Sequence, residues 1–196
     1  MYIETLFRIL IAVIFILSFS IAFTFRHRAE KKAGQLRSKE GLGIVRVMRL
    51  FSLIIWGFIF AYVVNPEWVA WVQLPLPMWL RGVGAALLVL AIPLIYWVYI
   101  SLGLNVSPTQ STREGATLVT HGPYRWVRHP LYTVGTMAYL GIGLVTALGP
   151  VWVGIVALMI FLVLRTPKEE ARLIETFGEA YRQYMARTGR YVPRLW

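Results

Sequence analysis

The chain has 196 residues, 58% of them hydrophobic and 15% charged, where a soluble domain is roughly a quarter charged. It has no cysteine and a formal net charge of +11. This excludes disulfides, thiolate metal sites and a cysteine nucleophile. Because the basic residues lie in blocks between long apolar runs, they read as orientation in a bilayer with anionic lipid and not as a nucleic-acid surface.

A transmembrane helix needs roughly 20 mostly apolar residues. The first such run is Thr5–Phe25. It exceeds the roughly 7–15 residues of a signal-peptide core, and its basic cluster follows it, so a retained span is expected. Later runs are Val47–Val64, Gly82–Ile100, Leu131–Leu148 and Val151–Leu164. Gly149-Pro150 separates the last two, which predicts a tight helical hairpin with short arms.

The charges between these runs set an orientation. The basic loop 26–49 carries Arg26, Arg28, Lys31, Lys32, Arg37, Lys39, Arg46 and Arg49. Segment 65–80 has no Lys or Arg but holds Trp68, Trp71, Trp79 and three prolines, as an interface or short outer loop would. Segment 101–130 carries Arg113, Arg125 and Arg128, and the tail from Arg165 is basic again. The positive-inside rule then gives an all-α polytopic integral membrane protein with five transmembrane helices. Its N-terminus lies outside, and its C-terminus and the 101–130 loop are cytoplasmic. From Pro167 to Arg187 the spacing of Ala171, Ile174, Ala180, Tyr181 and Tyr184 predicts a cytoplasmic helix, with Pro167 in its first turn and an interruption near Gly178.

Two segments carry chemistry. The first, 118–132, packs Gly, Pro, His, Arg and aromatic residues just ahead of an apolar run. Its turns at Gly122-Pro123 and His129-Pro130 free backbone groups for a ligand, and Tyr124, Trp126 and Tyr132 can flank an aromatic base. An interfacial anchor accounts for the same composition. In the second segment, Arg165 and Glu169 stand four apart, on one face of a continuous helix. Arg165 ends an apolar run, where an ionisable residue is either functional or snorkelling to the interface. No metal-ligand spacing, Walker motif or GxGxxG is present.

Gly122-Pro-Tyr-x-x-x-Arg128-His-Pro-x-Tyr132, an apolar hairpin, Arg165-x-x-x-Glu169-Glu170 and Phe177-Gly-Glu-x-Tyr181-x-x-Tyr184 together resemble the isoprenylcysteine carboxyl methyltransferase family. That family belongs to a broader group of membrane methyltransferases that includes phospholipid N-methyltransferases. The resemblance covers about residues 102–193; the first three spans match in hydropathy alone. It implies S-adenosylmethionine as cofactor, no metal, and an apolar or prenylated substrate reached from the bilayer. It divides the chain into a three-helix membrane region, 1–100, and a region, 101–196, of cofactor loop, hairpin and tail. By the same resemblance, cofactor contacts come from Ala116, Thr117, Leu118, Val119, Tyr124, His129, Pro130, Leu131, Tyr132 and Glu169. Arg165 holds the substrate as the catalytic residue.

A carboxylate nucleophile is already ionised at neutral pH and needs a cation to position it, which suits Arg165. An amine head group must first lose a proton, and His129, Glu169 or Glu170 would be the candidate bases. Carboxyl methylation of an isoprenylcysteine-like substrate, N-methylation of a phosphoethanolamine lipid and a non-catalytic membrane protein are the three functional expectations.

Overall fold

The computed structural model describes residues 2–33, 42–105 and 117–194, and side chains within these except 32–33, 42–49 and 104. The regular structure among the described residues is helical. In chain order the α-helices are α1 (Tyr2–Ala33), α2 (Leu42–Val64), α3 (Met78–Leu102), α4 (Pro130–Thr146), α5 (Gly149–Phe177) and α6 (Glu179–Arg187). Short 3₁₀ turns occupy Pro66–Val72, Gly103–Asn105 and Gly122–Arg125.

Within α1, α3 and α5 lie stretches long and apolar enough to cross a membrane: Tyr2–Lys31, Met78–Leu102 and Gly149–Phe177. Leu50–Val64 and Pro130–Thr146 are shorter apolar helices. Large apolar side chains along these helices remain exposed, among them Leu6, Phe19, Leu53 and Leu164. Faces of that kind are stable against lipid and costly against water. The chain is a multi-pass integral membrane protein.

The chain divides into two compact units, described in turn. The first comprises Met1–Ser18, Gly41–Pro93 and Gly135–Ile160. Its core interleaves Phe7, Ile11 and Ile14 of α1, Ile55, Ile59 and Tyr62 of α2, Leu88 of α3, and Ile142, Val145, Val151 and Ile155 of α4 and α5. The expected hairpin forms here: Gly143 of α4 faces Ile155 and Trp152 of α5. The connection at Ala147 has a positive φ of 56°, and Leu74 N–H donates to the Ala147 carbonyl at 2.7 Å. Two arginines close helix C-termini, whose last carbonyls lack intrahelical donors. Arg8 donates to the Val63 and Val64 carbonyls of α2 at 2.8 and 2.5 Å. Arg81 donates to the Val145 carbonyl of α4 at 2.8 Å and pairs with Glu4 at 3.0 Å. Buried Tyr62 donates to the same carboxylate at 2.5 Å. Trp68, Trp71 and Trp79 are exposed, as expected of an interface segment.

The crossing of α3 and α4 in this unit depends on small residues. A Cβ at Gly84 would lie 2.6 Å from Leu144 Cβ and 2.9 Å from the Gly141 carbonyl oxygen. At Gly82, two residues earlier, a Cβ would meet nothing within 4 Å. Gly84→Ala should therefore cost about 1–3 kcal/mol by overpacking, while Gly82→Ala should be neutral or slightly stabilising. Thermal unfolding of the detergent-solubilised protein checks this; equal midpoints for the two variants would contradict the contact.

The second unit comprises Phe19–Glu40, Leu94–Val134 and Phe161–Trp196. In it the Phe25 ring of α1 packs against Tyr96 and Tyr99 of α3 at 6.1 and 5.7 Å. One sequence expectation is corrected here. The helix over the charged tail does not start at Pro167; α5 runs unbroken from Gly149 to Phe177 with Pro167 inside it. The proline removes one helical N–H, the one that would have served the Val163 carbonyl. One residue earlier in the same turn, Thr166 Oγ1 donates to the Leu162 carbonyl at 2.7 Å. The break comes at Gly178, whose φ of 57° suits glycine, and α6 follows.

Candidate functional site

The second unit gathers the polar residues of 117–134, the C-terminal half of α5 and the tail. The approach begins at Asn105, whose Oδ1 accepts from Thr117 N–H at 3.1 Å. Gly122 follows with a φ of +59°, and a Cβ there would lie 2.2 Å from Ser101 Oγ. Only glycine lets the chain pass α3 so closely. Pro123 then starts a 3₁₀ turn that buries Tyr124. Burial pushes the Tyr124 phenol well above its ordinary value, so it stays a neutral hydroxyl.

The segment after this turn is strapped by the tail. Arg128 N–H donates to the Gly189 carbonyl at 2.9 Å, His129 N–H to Arg190 at 3.1 Å, and Gly189 N–H to Trp126 at 3.0 Å. Thr133 Oγ1 donates to the Tyr191 carbonyl at 2.6 Å. From α6, Tyr184 Oη donates to the Tyr124 carbonyl at 2.7 Å; burial pushes this phenol up to about 12, so it remains a donor.

At the centre stands Glu170, 3% exposed. Its carboxylate accepts from Arg128 Nε at 2.9 Å and Arg190 Nη2 at 2.5 Å, and lies 3.3 Å from His129 Nε2. Arg128 also donates to the carbonyls of Met185, at 3.1 Å, and of Thr188. The hydrogen bond to Glu170 raises the Arg190 guanidinium above its ordinary value. A buried carboxylate hydrogen-bonded to two guanidinium groups stays ionised. Glu170, one of the candidate bases for an amine substrate, is thus surrounded by Arg128, His129 and Arg190.

Glu169 is arranged differently. It is half-buried, and its Oε2 accepts from Tyr132 Oη at 2.6 Å. The Tyr132 ring stacks on His129, centroids 5.4 Å apart and planes 6° apart. The Tyr191 ring lies 6.0 Å from His129, its plane tilted by 51°. Arg165, one turn before Glu169 on α5, holds its guanidinium 5.3 Å from the Phe161 ring centroid. The result is a carboxylate with spare acceptor capacity, a cation and stacked aromatic faces in one neighbourhood.

Of the expected residues, His129, Tyr132 and Glu169 are joined by direct contacts, Arg165 lies one turn before Glu169 on α5, and Tyr124 is held at its carbonyl by Tyr184. Pro130 starts α4 and is buried, and Leu131 follows half-buried. Thr117 is exposed and held by Asn105, with Leu118 and Val119 half-buried beside it. Ala116 lies outside the described residues. Sequence reasoning missed the roles of Arg128, Arg190, Thr188 and Tyr191. The available signal was electrostatic: nine acidic residues face twenty basic ones, so adjacent Glu169 and Glu170 were bound to attract arginines. The strap residues show no periodicity from which the bridge could be read. Among the described residues no cluster of His, Asp or Glu has the geometry of a metal site.

On another face of α4, Pro130, Thr133 and Val134 line an apolar cavity of about 200 Å³ with Trp97, Trp126 and Tyr191.

A family model described as phospholipid methyltransferase matches residues 79–180. Over 88 residues the chain is 41% identical to the cobalt-zinc-cadmium resistance protein CzcN of Cupriavidus metallidurans, covering 43% of this chain and 39% of that one. Over 132 residues it is 33% identical to the protein-S-isoprenylcysteine O-methyltransferase of Mus musculus, covering 65% of this chain and 46% of the relative. The matches thus span less than half the length of these curated relatives. The fold is similar to the solved structure of a eukaryotic intramembrane Ras methyltransferase, isoprenylcysteine carboxyl methyltransferase. That likeness has a TM-score of 0.55 at 20% identity and covers 79% of this chain and 53% of the other.

Proposed function

The chain belongs to the phospholipid methyltransferase family, and from that premise we propose that it transfers a methyl group from S-adenosylmethionine to a carboxylate on an apolar, isoprenylcysteine-like acceptor at the membrane surface. The observation that carries the reading is the Tyr132–Glu169 pair, stacked on His129, with Arg165 one helical turn before Glu169 on α5.

The donor set fits the cofactor. Glu169 keeps acceptor sites for ribose hydroxyls or an amino group after taking the Tyr132 proton. Tyr132, His129 and Tyr124 offer aromatic faces, and the turns at 122–130 offer backbone groups. Tyr181 adds a buried hydroxyl without a hydrogen-bond partner among the described residues. Ala116, Thr117, Leu118, Val119, Pro130 and Leu131 complete the proposed contact set. When bound, S-adenosylmethionine supplies a sulfonium-activated methyl group and is left as a thioether. The chain's own residues do the rest by positioning. Arg165 pairs with the acceptor carboxylate and fixes its line of approach, and the stacked rings exclude water. No proton needs to move, so no general base is required.

The proposed topology is five spans with the N-terminus outside and this site on the cytoplasmic face, supported by the basic loop and tail. Helices α2 and α4 would then cross as the shorter members. Because the matching family model is a phospholipid methyltransferase, N-methylation of an ethanolamine lipid is the second reading.

Methyl-label transfer from S-adenosylmethionine to two acceptors, N-acetyl-S-farnesylcysteine and phosphatidylethanolamine vesicles, separates these. A base-labile labelled product supports the carboxyl reading, and a base-stable one replaces it with the amine reading. Absence of label with both acceptors, at saturating enzyme, would favour a non-catalytic membrane protein.

A further inference from the structure

Glu169 and Glu170 are adjacent in sequence and similar in chemistry, yet their surroundings divide them. Glu169 has one hydrogen-bonding hydroxyl and is half-buried. Glu170 is buried and holds three basic side chains that come from two directions. Arg128 and His129 belong to the turn ahead of α4, and Arg190 belongs to the tail strap. The same strap is fastened to Trp126, Arg128 and His129 by backbone hydrogen bonds and to Thr133 through the Tyr191 carbonyl. Its far side is fixed by Tyr191 Oη, which donates to Thr166 Oγ1 at 2.6 Å.

Two consequences follow from this wiring. The strap 188–191 is closed onto the site by a charge-assisted bond whose cation, Arg190, is 42% exposed while its carboxylate is 4% exposed. The bond can therefore open from its solvent side while Glu170 keeps Arg128 and His129. In addition, the His129 ring is held at its Nε2 by Glu170 and at its face by Tyr132, whose hydroxyl reaches Glu169. A shift of Glu170 thus propagates through two rings to the Glu169 carboxylate.

We propose that Glu170 is a positioning residue: through Arg190 it latches the tail strap closed, and through His129 it sets the Tyr132–Glu169 pair that receives the ligand. This deepens the proposed function and rests on that reading only for the identity of the ligand. It assigns the two neighbouring carboxylates separate tasks, one contacting the ligand and one organising the site.

The experiment combines amide hydrogen exchange of residues 188–192 with titration by S-adenosylhomocysteine, on the full chain in detergent. The variants are Glu170→Gln, Glu170→Asp and Arg190→Ala. Glu170→Gln should speed exchange in the strap and weaken S-adenosylhomocysteine binding by tenfold or more. Glu170→Asp should recover part of both. Arg190→Ala should speed strap exchange as much as Glu170→Gln does, with a smaller loss of affinity, because His129 is still held. Unchanged strap exchange in Glu170→Gln would overturn the latch. Faster exchange with wild-type affinity would overturn the link to Glu169. If the wild-type protein itself binds no S-adenosylhomocysteine, the ligand assignment fails, and strap exchange in the same variants still decides the latch.

Discussion

Replacing Arg128 with alanine should be among the most destabilising single changes in the second unit, costing about 3–5 kcal/mol. The side chains of Arg128 and Glu170 are 9% and 4% exposed, so removal of the cation leaves an ionised carboxylate buried with less compensation. The carbonyls of Met185 and Thr188 lose their donor at the same time. For a chain of this size each kcal/mol is worth roughly 2–4 °C, which puts the expected fall in thermal midpoint at about 10 °C. Arg128→Lys should recover only part of this, because an ammonium cannot serve the carboxylate and two carbonyls in the geometry of the planar guanidinium. Thermal unfolding in detergent is the measurement, and a midpoint within about 2 °C of wild type would show that Glu170 is adequately held by its other partners.

The second large effect separates binding from turnover. Arg165→Ala should lower kcat by about 100-fold or more while leaving S-adenosylhomocysteine affinity near wild type. Glu169→Ala should do the reverse in binding, with affinity weakened by roughly 10- to 100-fold for loss of a charge-assisted contact. Arg165 acts through its charge. A carboxylate acceptor gains a counter-ion there, whereas an ammonium head group would meet a like charge. Steady-state methyl transfer measured beside calorimetric titration tests both halves. If Arg165→Ala increased turnover of an ethanolamine lipid, the carboxyl reading would have to be exchanged for the amine one.

The helices were legible in the sequence to the degree that burial in lipid dictates composition. The runs Thr5–Phe25, Val47–Val64, Gly82–Ile100 and Val151–Leu164 fall within α1, α2, α3 and α5, and Leu131–Leu148 overruns the end of α4 by two residues, because a helix that faces lipid is apolar over its length. Boundaries were less legible. Pro167 beside Lys168, Glu169 and Glu170 has the composition of a helix start, yet α5 passes through it, because the apolar run before it and the charged turn after it continue one helix. The true break, Gly178, was visible only as an interruption of the apolar stripe.

The site was legible in its ingredients and not in its wiring. Spacing put Arg165 and Glu169 on one helix face, and the density of His, Tyr and Pro marked 118–132. That Tyr132 closes onto Glu169 depends on how α4 meets α5, which no local pattern encodes. Glu170 looked like a duplicate of Glu169 and a spare base. Its partner Arg190 lies twenty residues further on in a segment without periodicity, so its role as an organising residue needed coordinates.

The central claim is a cofactor site for S-adenosylmethionine in the second unit. Isothermal titration of the purified wild-type protein with S-adenosylhomocysteine tests it most directly, with Glu169→Ala run beside it. The account predicts saturable one-site binding by the wild type, clearly weakened in Glu169→Ala. Absence of heat and of any thermal shift with the folded wild-type protein would contradict it.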